Sequence, residues 1–296
     1  MNLESKDAIQ NLILLLVFVM CGLMFFMLII YAGLSLNMGV EKSIESIKEG
    51  HSLSNLFKKD GLLTVQILSQ ICCMIIPAFL MIKFNSGVHK MINNSKFNWN
   101  FLWLCILLLI VSLPFMNLLA YFNENIPLNE WMNSKETEIN EMIKQLLDMH
   151  GIKDLVICLI AIAIIPAISE ELIFRGILQN QLIRLFQNKW IGLIVGALLF
   201  SSIHLQFEGF LVRFAIGILL GFVYLYGGNL KYTMLLHFIF NGTQVLFVFI
   251  SGVEVLDVKE KMNDNLGILT IGAIASMLLV YPLIRKITMF HKKEYA

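Results

Sequence analysis

The chain has 296 residues, of which 58% are hydrophobic and 15% charged, with a mean hydropathy of +0.77. A soluble domain is about a quarter charged. This composition therefore excludes a single water-soluble core and leaves an all-α polytopic membrane protein of about seven to nine spans. The net charge is +1, and no basic arm or basic face is present, so nucleic-acid binding has no electrostatic support.

The first apolar run, Ile9 to Leu34, is too long for a signal-peptide core and carries no A-x-A cleavage site. It reads as a retained first span. Further apolar segments follow at roughly 62–83, 100–122, 154–186, 190–206, 210–226, 230–250 and 266–290. Each is long enough, or nearly so, to cross about 30 Å of hydrocarbon as a helix. The runs are continuous rather than alternating, which selects helices over barrel strands. Eight membrane helices are expected. They group as spans 1–3 over 1–125, an amphipathic connection over 126–150, a polar-bearing core over 151–250, and the eighth span with a basic tail over 251–296.

Cys21, Cys72, Cys73, Cys105 and Cys158 all lie in apolar runs and form no C-x-x-C pair, so they read as small buried hydrophobes. The sixteen methionines read as packing and lipid-facing residues. Eight spans put both termini on one side. A tail with Arg285, Lys286, Lys292 and Lys293 favours the cytoplasm, with 11 basic residues inside against 9 outside, the latter including Lys259 and Lys261.

Between the third and fourth spans, Ile139, Met142, Ile143, Leu146 and Leu147 follow helical spacing, with Glu136, Glu138, Glu141, Lys144 and Asp148 on other faces. This amphipathic helix fits the membrane interface, with Trp131 as an anchor, or packing on the protein's own outer surface. Neither placement gives it chemistry.

Ionisable residues inside spans are costly and mark function by default. Here they are Glu170, Glu171 and Arg175 in "PAISEELIFRG", His204 in "LLFSSIHL", and His237 with Asn241 in "LLHFIFNG". Glu171 and Arg175 are i, i+4 with the acid first, which favours an ion pair. Glu170 is rotated about 100° away and is left for another partner. Pro166, four residues before it, removes a backbone hydrogen bond and opens space near its carboxylate. A tight turn near Asn188 puts Glu170 and His204 within roughly 3 Å of one level in an antiparallel hairpin. Gly192, Gly196, Gly217 and Gly221 give the small-xxx-small spacing that lets helices approach closely. Ser201 and Ser202 read as backbone-bonded helix serines, and Arg213 as a snorkelling cation.

Three patterns occur in order: E-E-x-x-x-R at Glu170, Glu171 and Arg175; F-x-x-x-H at Phe200 and His204; H-x-x-x-N at His237 and Asn241. Together they resemble the CPBP family, the Abi-like group of CAAX prenyl proteases and bacteriocin-processing enzymes. The resemblance covers about residues 150–250. It implies an intramembrane endopeptidase acting on a peptide or lipidated protein, and the Ile-, Lys- and Asn-rich composition places the chain in a bacterial cytoplasmic membrane. It also implies that Glu170 with His204 activates water, that His237 and Asn241 hold the oxyanion, and that Glu171 and Arg175 orient the site. The family is often called metalloprotease, so Glu170, His204 and His237 form a possible zinc set. The chain has no H-E-x-x-H, and catalysis without metal is favoured. Two other classes stay open: a proton-coupled transporter, and a catalytically idle immunity or scaffold protein of the same fold.

Overall fold

The computed structural model describes residues 3–49, 52–92, 95–256 and 266–295, and these contain helices and no strand. Lys259 and Lys261, counted above among the outer charges, lie outside the described residues. So do the side chains of Lys292 and Lys293.

Seven helices among the described residues are long and apolar enough to cross a membrane. They are span 1 (Leu3–Met38), span 2 (Lys59–Phe84), span 3 (Trp99–Glu124), span 4 (Ile152–Phe186), span 6 (Phe210–Gly227), span 7 (Leu230–Ser251) and span 8 (Leu266–Tyr295). The expected fifth span is a shorter helix than the other seven, and it carries the chain back from the end of span 4 to the start of span 6. The 190–206 segment forms only helix 5 (Lys189–Ser202), whose 14 residues rise about 21 Å and stop short of the hydrocarbon thickness. The amphipathic connection forms one further helix, Glu130–Leu147.

Short polar turns set the antiparallel order. Gln187 takes a left-handed conformation (φ 53°), and Asn188 then caps helix 5 by accepting from the N–H groups of Trp190 and Ile191. Gly228 (φ +60°) ends span 6, and Asn229 caps span 7. At the terminal side of the bundle, Asn11 donates to Gln181 and Asn229 donates to the Ser95 carbonyl. At the other side, Lys59 pairs with Asp154 at 3.0 Å and Gln145 donates to the Phe57 carbonyl. The amphipathic helix therefore lies on the side away from both described ends.

Prolines shape the two helices that bear polar side chains. Span 4 widens to a π-type turn over Leu159–Ile164 just before Pro166, and span 2 does the same over Ile71–Ile75 just before Pro77. A proline offers no N–H and crowds the preceding turn, and the wider turn relieves that clash. Span 4 turns π-type again over Leu172–Gln179, beside the paired glutamates. Close glycine contacts then draw the core together. A Cβ at Gly192 would stand 2.7 Å from the Ile183 nitrogen, and one at Gly217 would stand 3.2 Å from the Ala197 Cα. A side chain at Gly192 would collide with the Ile183 backbone, and one at Gly217 would crowd Ala197.

The largest apolar core joins Phe101 and Leu108 of span 3, Phe174 and Ile177 of span 4, Phe200 of helix 5, Leu220 of span 6 and Leu236 of span 7. Cys72, Cys105 and Cys158 are buried as expected, whereas Cys21 is exposed on span 1 near exposed Met20 and Met24. That face is apolar enough to sit in lipid, so burial by protein is not required of it.

Candidate active site

Glu171 lies at the centre of the polar cluster and is fully buried. Arg175 Nη1 donates to its Oε1 at 2.7 Å, along the helix face that the i, i+4 spacing predicts. His237 Nδ1 donates to the same Oε1 at 2.9 Å from span 7. The other arm of the guanidinium, Nη2, donates to the Gly217 carbonyl at 3.2 Å, and its carbon lies 4.6 Å from the Phe200 ring centroid. Glu171 and Arg175 thus tie span 4 to span 6, helix 5 and span 7. The Nδ1 bond fixes the His237 ring so that Nε2 points at Glu170, 3.9 Å from Oε2.

Glu170, one residue earlier, faces away from that pair, as the 100° rotation requires. Its Oε1 accepts from Gln70 Nε2 at 3.1 Å. Gln70 is itself oriented by Ser169, whose hydroxyl donates to Gln70 Oε1 at 2.6 Å. Glu170 borders a cavity of about 560 Å³ that His204, His237 and Asn241 also line, together with Pro166.

Helix 5 ends at Ser202, so His204 sits in the turn just past it rather than inside a span. Its Nδ1 donates to the Phe200 carbonyl at 2.8 Å, and in the neutral ring this leaves Nε2 as an acceptor. Asn241 Nδ2 donates to the Ile162 carbonyl at 3.4 Å. That carbonyl lies four residues before Pro166 and has lost its helical donor to the proline. The kink therefore supplies the anchor for Asn241, and the second amide hydrogen stays available. Ser201 donates to the Phe210 carbonyl and Ser202 to the Leu198 carbonyl, as expected of backbone-bonded serines.

The structure adds to three expectations. The amphipathic helix packs on the protein, and its apolar face covers a cavity. Ile139, Met142, Ile143, Leu146 and Leu147 line the cavity beneath it. Its Glu136, placed on an outer face by spacing, is buried and accepts from the Phe207 N–H at 2.6 Å. Arg213, in the first turn of span 6, also borders the cavity, and its guanidinium donates to Gln206 of the preceding turn.

Sequence reasoning missed Gln70. The available signal was Gln66 and Gln70 at i, i+4 within an otherwise apolar second span, and both line the cavity. It named Gly217 for close helix approach but not for its carbonyl, a group no side-chain pattern reports.

Among the described residues, no three His, Cys, Asp or Glu side chains are grouped so as to hold a metal ion. In the anticipated set, His237 Nδ1 is taken by Glu171 and Glu170 Oε1 by Gln70. No step proposed below passes through a metal.

Residues 152–243 match the family model described as type II CAAX prenyl endopeptidase Rce1-like. That match contains all three motifs and supports the CPBP/CAAX-protease family. The chain is also similar to uncharacterised protein YpbD of Bacillus subtilis (strain 168). The two are 30% identical over 111 residues, which is 36% of this chain and 51% of that protein. An uncharacterised 24.3 kDa protein of Escherichia coli is 31% identical over 91 residues, 29% of this chain and 42% of that protein. The chain thus spans about half the length of the curated relatives it matches. No solved structure matches it.

Proposed function

We propose that this integral membrane protein, whose 152–243 region matches CAAX-type proteases, is an endopeptidase that cleaves a membrane-associated peptide or protein. The observation that carries the reading is the convergence on Glu171. One carboxylate oxygen holds both Arg175 and His237, and this aims His237 Nε2 at Glu170 across 3.9 Å. A gap of that width is bridged by one water.

The proposed chemistry follows from these positions. Glu170 removes a proton from the water as its oxygen attacks the peptide carbonyl carbon. Gln70 holds one Glu170 oxygen and leaves the other toward the water. His204, with Nδ1 on the Phe200 carbonyl, accepts a water hydrogen bond at Nε2. The carbonyl oxygen becomes an oxyanion, and His237 Nε2–H and the free Asn241 amide hydrogen donate to it. A protonated His237 suits this role, because Glu170, Glu171, Arg175 and His237 then sum to zero charge in a low-dielectric site. On collapse the C–N bond breaks, and the departing amine takes the proton from Glu170.

The apolar face of the amphipathic helix covers the cavity and limits bulk water around the oxyanion. Substrate of either a CAAX type or a bacteriocin-leader type fits an apolar wall of this kind. If metal plays no part, a chelator leaves turnover intact; loss with chelator and rescue by zinc would overturn that step. The test of the function is the set of membrane peptides in cells carrying the wild-type chain or Glu170→Ala. An endopeptidase predicts uncleaved precursors with the variant alone. Identical peptide sets, with any phenotype kept, would favour a scaffold.

A further inference from the structure

The turn that carries His204 is held by two residues that the hydrolysis proposed above does not use. Helix 5 ends at Ser202, and Leu205, directly after His204, takes a left-handed conformation (φ 52°). A leucine is strained there, and such a conformation persists only where its surroundings fix it. The fixing groups come from elsewhere in the chain. Glu136 Oε2 of the amphipathic helix accepts from the N–H groups of Phe207 and Glu208, at 2.6 and 3.4 Å. Asn123 of span 3 donates from Nδ2 to the Phe207 carbonyl at 2.6 Å, and its Oδ1 accepts from the Leu211 N–H at 2.6 Å.

Both side chains are buried, Glu136 at 5% and Asn123 at 3% exposure. Burying a carboxylate is costly unless its charge is answered. Here two N–H donors and the nearby positive charge of Arg213 answer it. A connecting turn ordinarily satisfies its backbone with water. In this one a buried carboxylate and a buried amide do so instead, and the Trp131 ring packs against Phe207 with 5.7 Å between centroids. Neither Asn123 nor Glu136 lines the cavity, so they have no contact with a peptide bound there. Neither lies within residues 152–243, which match the family model.

We infer that Asn123 and Glu136 are positioning residues: they clamp the turn after His204 so that its ring keeps Nδ1 on the Phe200 carbonyl and presents Nε2 to the cavity. This rests on the proposed reading of His204 as the group that accepts a hydrogen bond from the attacking water. His204 lies past the end of helix 5, so the helix ladder alone does not fix its backbone. With the clamp released, Leu205 relaxes out of its left-handed conformation and carries His204 with it. A displacement of about 1 Å at such a group costs on the order of 100-fold in rate. The first half of the chain thereby completes a site whose motifs all lie in the second half.

The test uses the full chain in detergent and reads His204 directly. Diethyl pyrocarbonate acylates accessible neutral imidazoles, and mass spectrometry gives the rate at His204 relative to His150, whose side chain is 81% exposed. Losing a hydrogen bond to a charged group, or two to a neutral one, shifts a local opening equilibrium by about tenfold or more. Glu136→Ala and Asn123→Leu should each speed the reaction at His204 by about that factor. Glu136→Gln, whose amide oxygen still accepts, should recover most of the protection. Cys158 donates from Sγ to the Leu146 carbonyl in the last turn of the amphipathic helix, and its labelling by a thiol reagent should stay as in the wild type. A rise shared by His204 and Cys158 would mean that Glu136 merely docks the helix. An unchanged rate at His204 in both variants would mean that the turn needs no clamp. Either result overturns the inference. Turnover is read on the precursor peptide that Glu170→Ala membranes retain. Glu136→Ala should lower kcat about 10- to 100-fold with KM kept. An unchanged kcat in a variant whose His204 is released would also overturn the inference. If Glu170→Ala membranes retain no precursor while the variants still release His204, the endopeptidase reading falls and the clamp stands without it.

Discussion

Arg175→Ala is the perturbation for which the structure gives the clearest magnitude. Arg175 and Glu171 are 2% and 0% exposed, and they meet at 2.7 Å. Removing one member of such a pair leaves a buried charge uncompensated, which costs about 3–5 kcal/mol. Loss of the Nη2 bond to the Gly217 carbonyl adds about 1 kcal/mol. The sum, about 4–6 kcal/mol, is comparable with the whole stability of many folds, about 5–15 kcal/mol. Arg184→Ala is the control. That residue faces Asp7 at 3.7 Å in a pair whose acid is 61% exposed, so its loss should cost at most about 1 kcal/mol. The assay is thermal unfolding in detergent, followed by a thiol-reactive dye that reads exposure of buried Cys72, Cys105 and Cys158 in a Cys21→Ala background. Arg175→Ala should melt far below both wild type and Arg184→Ala. Adding Glu171→Gln to it should recover a large part of the loss, because the stranded charge is then gone. Equal melting of the two arginine variants would refute the reasoning, since it would mean that the Glu171–Arg175 pair is not buried in the working protein.

Asn241→Ala removes one proposed oxyanion donor and should lower kcat about 100- to 1,000-fold with melting temperature nearly kept; an unchanged kcat would remove Asn241 from the site. Gln70→Leu keeps the approximate volume but frees the Glu170 oxygen, and it should lower kcat more than it raises KM; full activity would make Gln70 a packing residue. Reporter fusions at the tail and after Lys96 should both read cytoplasmic, which with this fold places the cavity and its covering helix on the extracytoplasmic side. A periplasmic reading at the tail would reverse that orientation and point the cavity toward cytoplasmic substrates.

Much of the site was legible because the residues that build it are expensive in a membrane. Glu170, Glu171, Arg175, His237 and Asn241 stand out against apolar neighbours, and i, i+4 spacing alone foretells the Glu171–Arg175 contact. Hairpin counting likewise put Glu170 and His204 at one depth, and both border one cavity. What spacing could not give was the partner chosen by each atom. His237 and Asn241 share one motif on one helix, but nothing in it shows that His237 Nδ1 is taken by Glu171 from another helix. Long-range choices of this kind depend on packing angles and on π-type turns, which leave no hydrophobic period to read. Helix 5 looked longer than it is because Ile203 and Leu205 continue its apolar run past Ser202, although the helix itself ends there. The amphipathic helix showed its apolar face plainly but not what that face covers. Arg213 sat near a span end, and nothing in the sequence showed that Gln206 would hold its guanidinium.

The central claim is that Glu170 is the base that activates water. The measurement that tests it most directly is turnover by purified Glu170→Gln protein, with peptide binding and melting recorded on the same sample. Glutamine keeps the shape and can still face Gln70 and His237, but it has no basic oxygen to take the proton. The account predicts a folded protein that binds peptide and does not cleave it. Cleavage by Glu170→Gln at the wild-type rate would contradict the account.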